Sequence, residues 1–253
     1  MTNSNLLRLF LKLIVLSVLV SCLAFFTNKE THSRLAAAAP QALTLRIESQ
    51  PQSPLQFSST NILSSDPFSP KIEFTVTNTG AKGIRAFTVS REVVTDAGSR
   101  RAAILTNLTT QRKVLQPGQS KSDTVNEPYS PVPISSIILS IDFVEFVNGE
   151  TWGKDAYKSG ERLAGQRAGG RAAYEHFRQL LTRKGSSALL KAITSEGDEL
   201  VPPQQNSPEW QDGFKTGVGL VRLRFNRAKK EGGLRGVELE LQQPYDTSER
   251  RPE

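Results

Sequence analysis

From residue 42 to about residue 152 the chain alternates apolar and polar residues with a period of two. Leu43, Leu45 and Ile47 alternate with Thr44, Arg46 and Glu48; Ile72, Phe74 and Val76 alternate with Lys71, Glu73, Thr75 and Thr77. That period sets one side of a strand on a core and the other in water. Further strands are predicted over 84–89, 103–108, 120–125 and 137–146. Between them, Asn78-Thr79-Gly80, Lys82-Gly83 and Pro117-Gly118 supply residues that tolerate bent backbone. The last strand runs into Asn148-Gly149, a dipeptide suited to a type I′ hairpin, and returns through Glu150-Thr151-Trp152. About seven short strands with no helices between them predict an antiparallel sandwich.

From Asp155 onward the period becomes helical, and the pattern repeats. Gly165, Gly169 and Gly185 recur as Gly213, Gly217 and Gly233, each displaced by 48 residues. The same displacement carries Glu161 to Glu209, Ala173 to Val221, Phe177 to Phe225, Leu189 to Val237 and Ile193 to Leu241. This reads as an internal duplication: in each copy a long helix, a Lys/Gly stop, then a short helix. The first long helix gathers Gly169, Ala173, Phe177, Leu180 and Leu181 on one side, and the second gathers Trp210, Phe214, Gly217, Val221, Phe225 and Ala228. Ser207 suits a cap, Pro208 the first turn and Glu209 the positive end of the helix dipole. A rival pattern survives over 216–242. There Val221, Leu223 and Phe225 alternate with Arg222, Arg224 and Asn226, as in a β-hairpin with Arg–Glu cross-strand pairs.

Gly-x-x-x-Gly occurs in both copies, and interior glycines each cost a helix about 1 kcal/mol relative to alanine. Their presence implies close helix–helix approach, either between the two copies or across a homodimer seam. Arg162, Arg167 and Arg171 in one helix and Lys215 in the other make these helices too charged to cross a membrane.

The stretch KIEFTVTNTGAKGIRAFTVS followed by VLQPGQS resembles the immunoglobulin-like sandwich modules common in exported bacterial proteins. In such modules a strand ending in Thr-Asn meets a glycine turn, and a Pro-Gly-Gln-Ser turn opens a later strand. The resemblance covers about 100 residues and implies a fold, not an activity, because these sandwiches serve adhesion, ligand binding and spacing alike. Downstream, VEFVNGETWG and GERLAGQRAGGRAA are similar to uncharacterised exported bacterial proteins, and no functional residues come with that likeness.

Ahead of all this, Arg8 and Lys12 precede an apolar stretch from Leu13 to Phe26, which reads as an export signal or short membrane anchor. Leu19-Val20-Ser21-Cys22 fits a bacterial lipoprotein box with Cys22 as the lipidated residue. Cleavage near Ala24 or within Ala36–Ala39, and an uncleaved anchor, are the alternatives. Every branch places the folded part outside the cytoplasmic membrane, in the cell envelope or periplasm. A net charge of +7, two units of it from the leader, then favours anionic envelope surfaces over nucleic acid, or serves solubility alone.

Composition narrows the chemistry. Cys22 is the only cysteine, and His32 falls in the linker, leaving His176 as the one histidine of the folded part. With no second histidine and no mature cysteine, zinc sites and Cys-His catalysis are not expected; a Ser-His-Asp triad would have to use His176, mid-helix beside Phe177 with no nucleophile-elbow sequence, and no cofactor motif occurs. Asp142, Glu145, Glu150 and Asp155 gather near one hairpin, but alternation puts Asp142 and Glu145 on opposite strand faces. Arg167, Arg171 and Arg178 fall within about 40° of one another on the first helix, opposite its apolar side. Such a stripe meets acidic glycan, lipid headgroups or a partner, or is simply solvated. Trp152 is expected to seal the joint between the parts, with carbohydrate stacking as the alternative.

The expectation is an α+β two-domain protein: leader 1–26, linker 27–41, immunoglobulin-like sandwich 42–152, duplicated helical domain 153–243 and disordered tail 244–253. Its expected role is that of a non-enzymatic interaction or structural module that meets another protein or forms a homo-oligomer, with Trp152, Arg167, Arg171, Arg178, Trp210 and Phe214 as the contact residues. The alternative is an accessory module for an envelope glycan.

Overall fold

The computed structural model describes residues 42–243 and 245, apart from 49, 112, 195–199 and 205. The leader, Cys22, the linker and, of the expected disordered tail 244–253, all but Tyr245 lie outside the described residues; Tyr245 is buried. No helix among the described residues is long and apolar enough to cross a membrane.

The architecture is α+β in two parts. Strands β1 (Thr44–Ile47), β2 (Leu55–Ser64), β3 (Lys71–Asn78), β4 (Ile84–Thr95), β5 (Gly98–Asn107), β6 (Ser120–Asn126), β7 (Ile134–Phe146) and β8 (Thr151–Gly153) come first. Helices α1 (Ser159–Thr194) and α2 (Pro208–Leu241) follow. One sheet has the order β1-β7-β4-β5 with β8 added to β7; the other has the order β2-β3-β6. Their inner faces share one core, in which Phe74, Ile72 and Val76 of the smaller sheet meet Phe87, Ile137 and Leu139 of the larger.

Three details depart from the strand pattern read along the sequence. The larger sheet is mixed, because β1 runs parallel to β7. Strand β2, absent from the alternation, exists but slips register at Phe57/Ser59 and Ile62/Ser64, so its apolar residues never hold a strict period of two. The Asn148-Gly149 turn is not type I′: of the two only Gly149 has positive φ, at 89°. Gly149 N–H donates to the Phe146 carbonyl and Phe146 N–H to the Glu150 carbonyl, which is the three-residue hairpin with a left-handed glycine.

Both helices bend where the sequence placed a stop. The backbone leaves helical geometry at Gly185 (φ 77°, ψ −179°) and at Gly233 (φ 59°, ψ −144°), conformations L side chains resist. Segment 216–242 is helical up to Leu241, which removes the hairpin alternative. Ser207 caps α2 by accepting from Trp210 N–H at 3.2 Å, with Pro208 in the first turn. Ser207→Ala is expected to cost about 1 kcal/mol. Thermal unfolding should register this as a drop of about 2–4 °C in Tm.

The helices pack through their glycines. A Cβ on Gly165 would lie 1.9 Å from the Trp210 carbonyl oxygen, and one on Gly213 2.0 Å from that of Arg162. Gly169 stands in the same relation to Phe214, and Gly217 to Gln166, each at 2.0 Å. The Gly-x-x-x-Gly faces are therefore consumed within the chain. Beyond them Phe177 and Phe225 meet edge to face at 5.2 Å, with Tyr174 against Phe225 at 5.1 Å.

Candidate functional site

The joint between sheet and helices is built by two β-bulges. In the β4–β7 pairing the register slips between Ile84 and Ala86 and again between Thr88 and Val89, leaving Arg85 and Asp142 as extra residues. A bulge shifts the facing of the residues beyond it. Ile141 and Val144 point into the sandwich, whereas Phe143 packs with Ala86 and Leu163 of α1 on the opposite face. Asp142 and Glu145 consequently serve the same side of the sheet, contrary to simple alternation. Asp142 accepts from the backbone N–H of Ala156 and Tyr157 at 3.1 and 3.4 Å. Asp155 caps α1 by accepting from Ser159 and Gly160 N–H.

Glu145 is the centre of the joint. Its carboxylate takes Arg85 from β4 at 2.6 Å and, through both oxygens, Arg167 from α1 at 3.0 and 2.5 Å. The side chains of Arg85, Glu145 and Arg167 are only 14, 9 and 12% exposed. Burial works against the Glu145 charge, but the two guanidinium hydrogen bonds outweigh it and hold its pKa below the ordinary carboxylate value. Thr88 Oγ1 donates to Ser159 Oγ at 2.7 Å, and Asn107 Nδ2 to Gln166 Oε1 at 2.6 Å. The Asn107-Leu108-Thr109 sequon is thus spent on structure: Asn107 Oδ1 accepts from the Thr109 hydroxyl at 2.6 Å.

Beside the joint lies a cleft of about 570 Å³. One wall is the rim of β5, Ile104 to Asn107; the second is Lys121 and Asp123 of β6; the third is Arg162 and Gln166 of α1 with Asp212, Thr216 and Leu220 of α2. Lys121 and Asp123 lie opposite Val76 and Phe74 across the strands, so they occupy the inner face of the smaller sheet where it reaches its edge. Arg162 and Asp212 face each other at 3.5 Å. The walls carry both signs of charge on an open surface, which suits recognition.

At one end of the cleft a polar cluster ties the helices to the loop after β5. Tyr174 hydroxyl donates to Glu240 Oε1 at 2.6 Å and accepts from Arg224 Nη1 at 3.2 Å. Burial and the Glu240 carboxylate push the Tyr174 pKa up to about 12, against the opposing pull of Arg224. Arg224 also donates to the Tyr245 carbonyl at 3.1 Å and to the Thr110 carbonyl, and stacks over the Tyr245 ring at 5.6 Å.

The six candidate contact residues scatter. Trp152 pairs with Val144 across β7–β8 and packs half-buried on the sandwich core, so the joint is sealed by Phe143, Leu163 and the Glu145 clamp instead. Arg167 is committed to Glu145, Arg171 is exposed, and Arg178 reaches Glu175 at 3.2 Å and the Leu241 carbonyl at 3.4 Å. The three arginines therefore form no single solvent-facing stripe. Trp210 and Phe214 stack at 5.5 Å within the helix pair. His176 Nε2 is buried without a hydrogen-bond partner. The residues that shape the joint and cleft, Arg85, Asn107, Gln166, Asp212 and Arg224, were not among the candidates, and only the opposite signs of Arg162 and Asp212 near matched helix starts hinted at them.

No family model matches the chain, and no curated protein matches it. Similar solved structures include a hypothetical protein from Peptoclostridium difficile 630, at 12% identity over 43% of this chain and 90% of that one, with a TM-score of 0.30. The putative ApaA protein from Bordetella pertussis matches at 13% identity over 39% of this chain and 84% of that one, TM-score 0.28. A β-glucosidase 3B from Thermotoga neapolitana in complex with glucose matches at 15% identity over 39% of this chain but 16% of that one, TM-score 0.24. Likenesses this slight assign neither a family nor an activity.

Proposed function

We propose that the chain is an exported, envelope-associated, non-enzymatic protein that acts as a protein-interaction or structural module. It combines an immunoglobulin-like sandwich with an internally duplicated helical hairpin. The observation that carries this reading is the Arg85–Glu145–Arg167 clamp, which fastens α1 to β4 and β7 and so holds the walls of the mixed-charge cleft in fixed relation. A preorganised recognition surface binds without the entropic cost of assembling itself.

The immunoglobulin-like assignment is supported by two sheets around one core and by the Thr77-Asn78 and Pro117-Gly118-Gln119-Ser120 turns. The duplication is supported by the symmetry of the helix contacts. Gly165 meets Trp210 while Gly213 meets Arg162, and both members of this exchange differ by 48 residues. Gly169 with Phe214 and Gly217 with Gln166 repeat the relation. Two copies related by a local two-fold axis produce this pattern. The rival glycan module called on Trp152 and nearby carboxylates, and Asp142, Glu145 and Asp155 already hold backbone N–H groups or guanidinium groups.

A photo-reactive residue at Leu220, on the cleft rim, tests the interaction role in the native host. A discrete intermolecular adduct, absent when the same residue replaces Leu63 on the far sheet, is the expected result. Equal labelling from both positions overturns the reading. The mass of the N-terminal peptide from the membrane fraction tests the lipoprotein branch: an acylated Cys22 is expected, and an intact leader would overturn that branch in favour of the uncleaved anchor.

A further inference from the structure

The two helix bends fall at one end of the helical part. Gly165 meets Trp210, Gly169 meets Phe214 and Phe177 meets Phe225, so α1 and α2 run side by side in the same direction. Gly185 and Gly233 each come eight residues after that last pair, about 12 Å further along the axes. Beyond the bends the chain turns back. The Ile193 carbonyl accepts from Asn226 Nδ2 at 3.4 Å, and the Leu241 carbonyl from Arg178 at 3.4 Å. The bends are therefore the tips of two hairpins. They also stand away from the sandwich, because Gly185 lies eighteen residues, about 27 Å of helix, past the Arg167 that is clamped to Glu145.

These tips carry nearly one sign of charge. Arg183 and Lys184 precede the first bend; Arg227, Lys229 and Lys230 precede the second, and Arg235 follows it. Lys229 is half-buried and the other five are exposed, and none of the six is paired with an acid among the described residues. Glu231 alone opposes them: residues 176–194 contain no acid, and residues 213–237 contain only that one. A Cβ at Gly185, Gly232 or Gly233 would meet nothing within 4 Å, so the backbone of the tips is bare as well. Among the described residues, no exposed large hydrophobic side chain lies in 182–187 or 227–236. Crowded cations of this kind gain most where an extended anionic surface meets all of them at once. The arrangement of the tips favours a plane over a single acidic peptide, since two turns side by side touch a plane together and offer no converging walls. Without an apolar anchor, such contact stops at the headgroups and does not enter the acyl region.

We propose that this end of the helical part docks on an anionic lipid surface, with Arg183, Lys184, Lys229 and Lys230 meeting the phosphate groups. The inference goes beyond the interaction-module reading and does not depend on it, since the tips and the cleft share no residue. The full chain is mixed with vesicles of equal parts phosphatidylcholine and phosphatidylglycerol, or of phosphatidylcholine alone. A photo-reactive residue at Ser187, exposed two positions past the first bend, is expected to give a lipid adduct on the mixed vesicles and none on phosphatidylcholine. The same residue at Leu63, on the smaller sheet, should give none on either. Each cation near an anionic leaflet strengthens binding about fivefold, so Arg183→Gln with Lys184→Gln, Lys229→Gln and Lys230→Gln should lower the Ser187 adduct at least about a hundredfold. High salt should do the same to the wild type, while the Tm of the fourfold variant should match the wild type's. Every comparison is made within the full chain, so whatever the leader contributes is common to all of them. Equal adducts from Ser187 and Leu63, or a Ser187 adduct indifferent to the four replacements, overturn the proposal. So does a Ser187 adduct to a protein with no lipid adduct in membranes of the native host, which would make the partner an acidic polypeptide.

Discussion

Gly217→Ala is expected to destabilise the protein by about 1–3 kcal/mol, toward the upper end of the overpacking range. An exposed interior helix position gains roughly 1 kcal/mol from the same change, so here the sign is reversed. The reversal comes from geometry: a Cβ at Gly217 would lie 2.0 Å from the Gln166 carbonyl oxygen and 2.8 Å from Gly170 N. Both are backbone atoms of α1, which no rotamer change can move. The helices must part, and parting them opens the core around Phe177 and Phe225. Gly219, two residues on in the same helix, has nothing within 4 Å of its Cβ position. Gly219→Ala is accordingly expected to stabilise by up to about 1 kcal/mol. Chemical denaturation of the two variants should move the midpoint in opposite directions. Two shifts of the same sign would mean that the helix pair is not held at its glycines.

The same glycines mark how far the sequence could be read. Helix interiors reject glycine unless it does something, so a Gly-x-x-x-Gly face recurring after 48 residues announced close packing before any partner was visible. It could not say whether the partner was the second helix or another chain. The caps and stops were legible for the same reason, being local chemistry at Ser207, Pro208, Gly185 and Gly233. Alternation gave β3 and β7, and failed wherever the strand itself was irregular. Arg85 and Asp142 are bulge residues, and one inserted residue turns everything beyond it to the other face. That is why Asp142 and Glu145 reach the helices together. The parallel pairing of β1 with β7 joins residues about ninety positions apart, a register with no local signature.

Helix α1 shows a further limit. A helical wheel assigns one buried face, and by that rule Arg167 belongs to water. In the structure α1 is covered twice, by α2 through Gly165, Gly169 and Phe177 and by the sheet through Leu163 and Arg167. A helix buried on two sides has no clean apolar stripe, and its charged residues on the second side must find partners. Candidate contact residues chosen by exposure therefore included one that fastens the fold.

Glu145→Gln is expected to cost roughly 3–5 kcal/mol, the largest effect of any single change at the joint. Glutamine keeps the shape and one acceptor but removes the charge that two nearly buried guanidinium groups share. With Arg85 14% and Arg167 12% exposed, water replaces little of what is lost. Acid should act on the wild type in the same way. The Glu145 pKa is depressed in the folded state, so its contribution is fully present above the unfolded value near 4.5 and is lost as pH falls through the lower folded value. The stability gap between wild type and Glu145→Gln should therefore be constant above about pH 5 and shrink steadily below about pH 4. Using the difference removes every carboxylate the two proteins have in common. A gap that held its size down to pH 2 would show that Glu145 does not carry its charge into the joint. Replacing all three residues by apolar ones of similar volume is the complementary experiment, since a buried ion triad is often no more stable than the packing that could stand in its place. If that triple variant keeps its stability but loses the Leu220 crosslink, the clamp's role is to orient α1 on the sheet, which is the property an interaction surface shared between two parts requires.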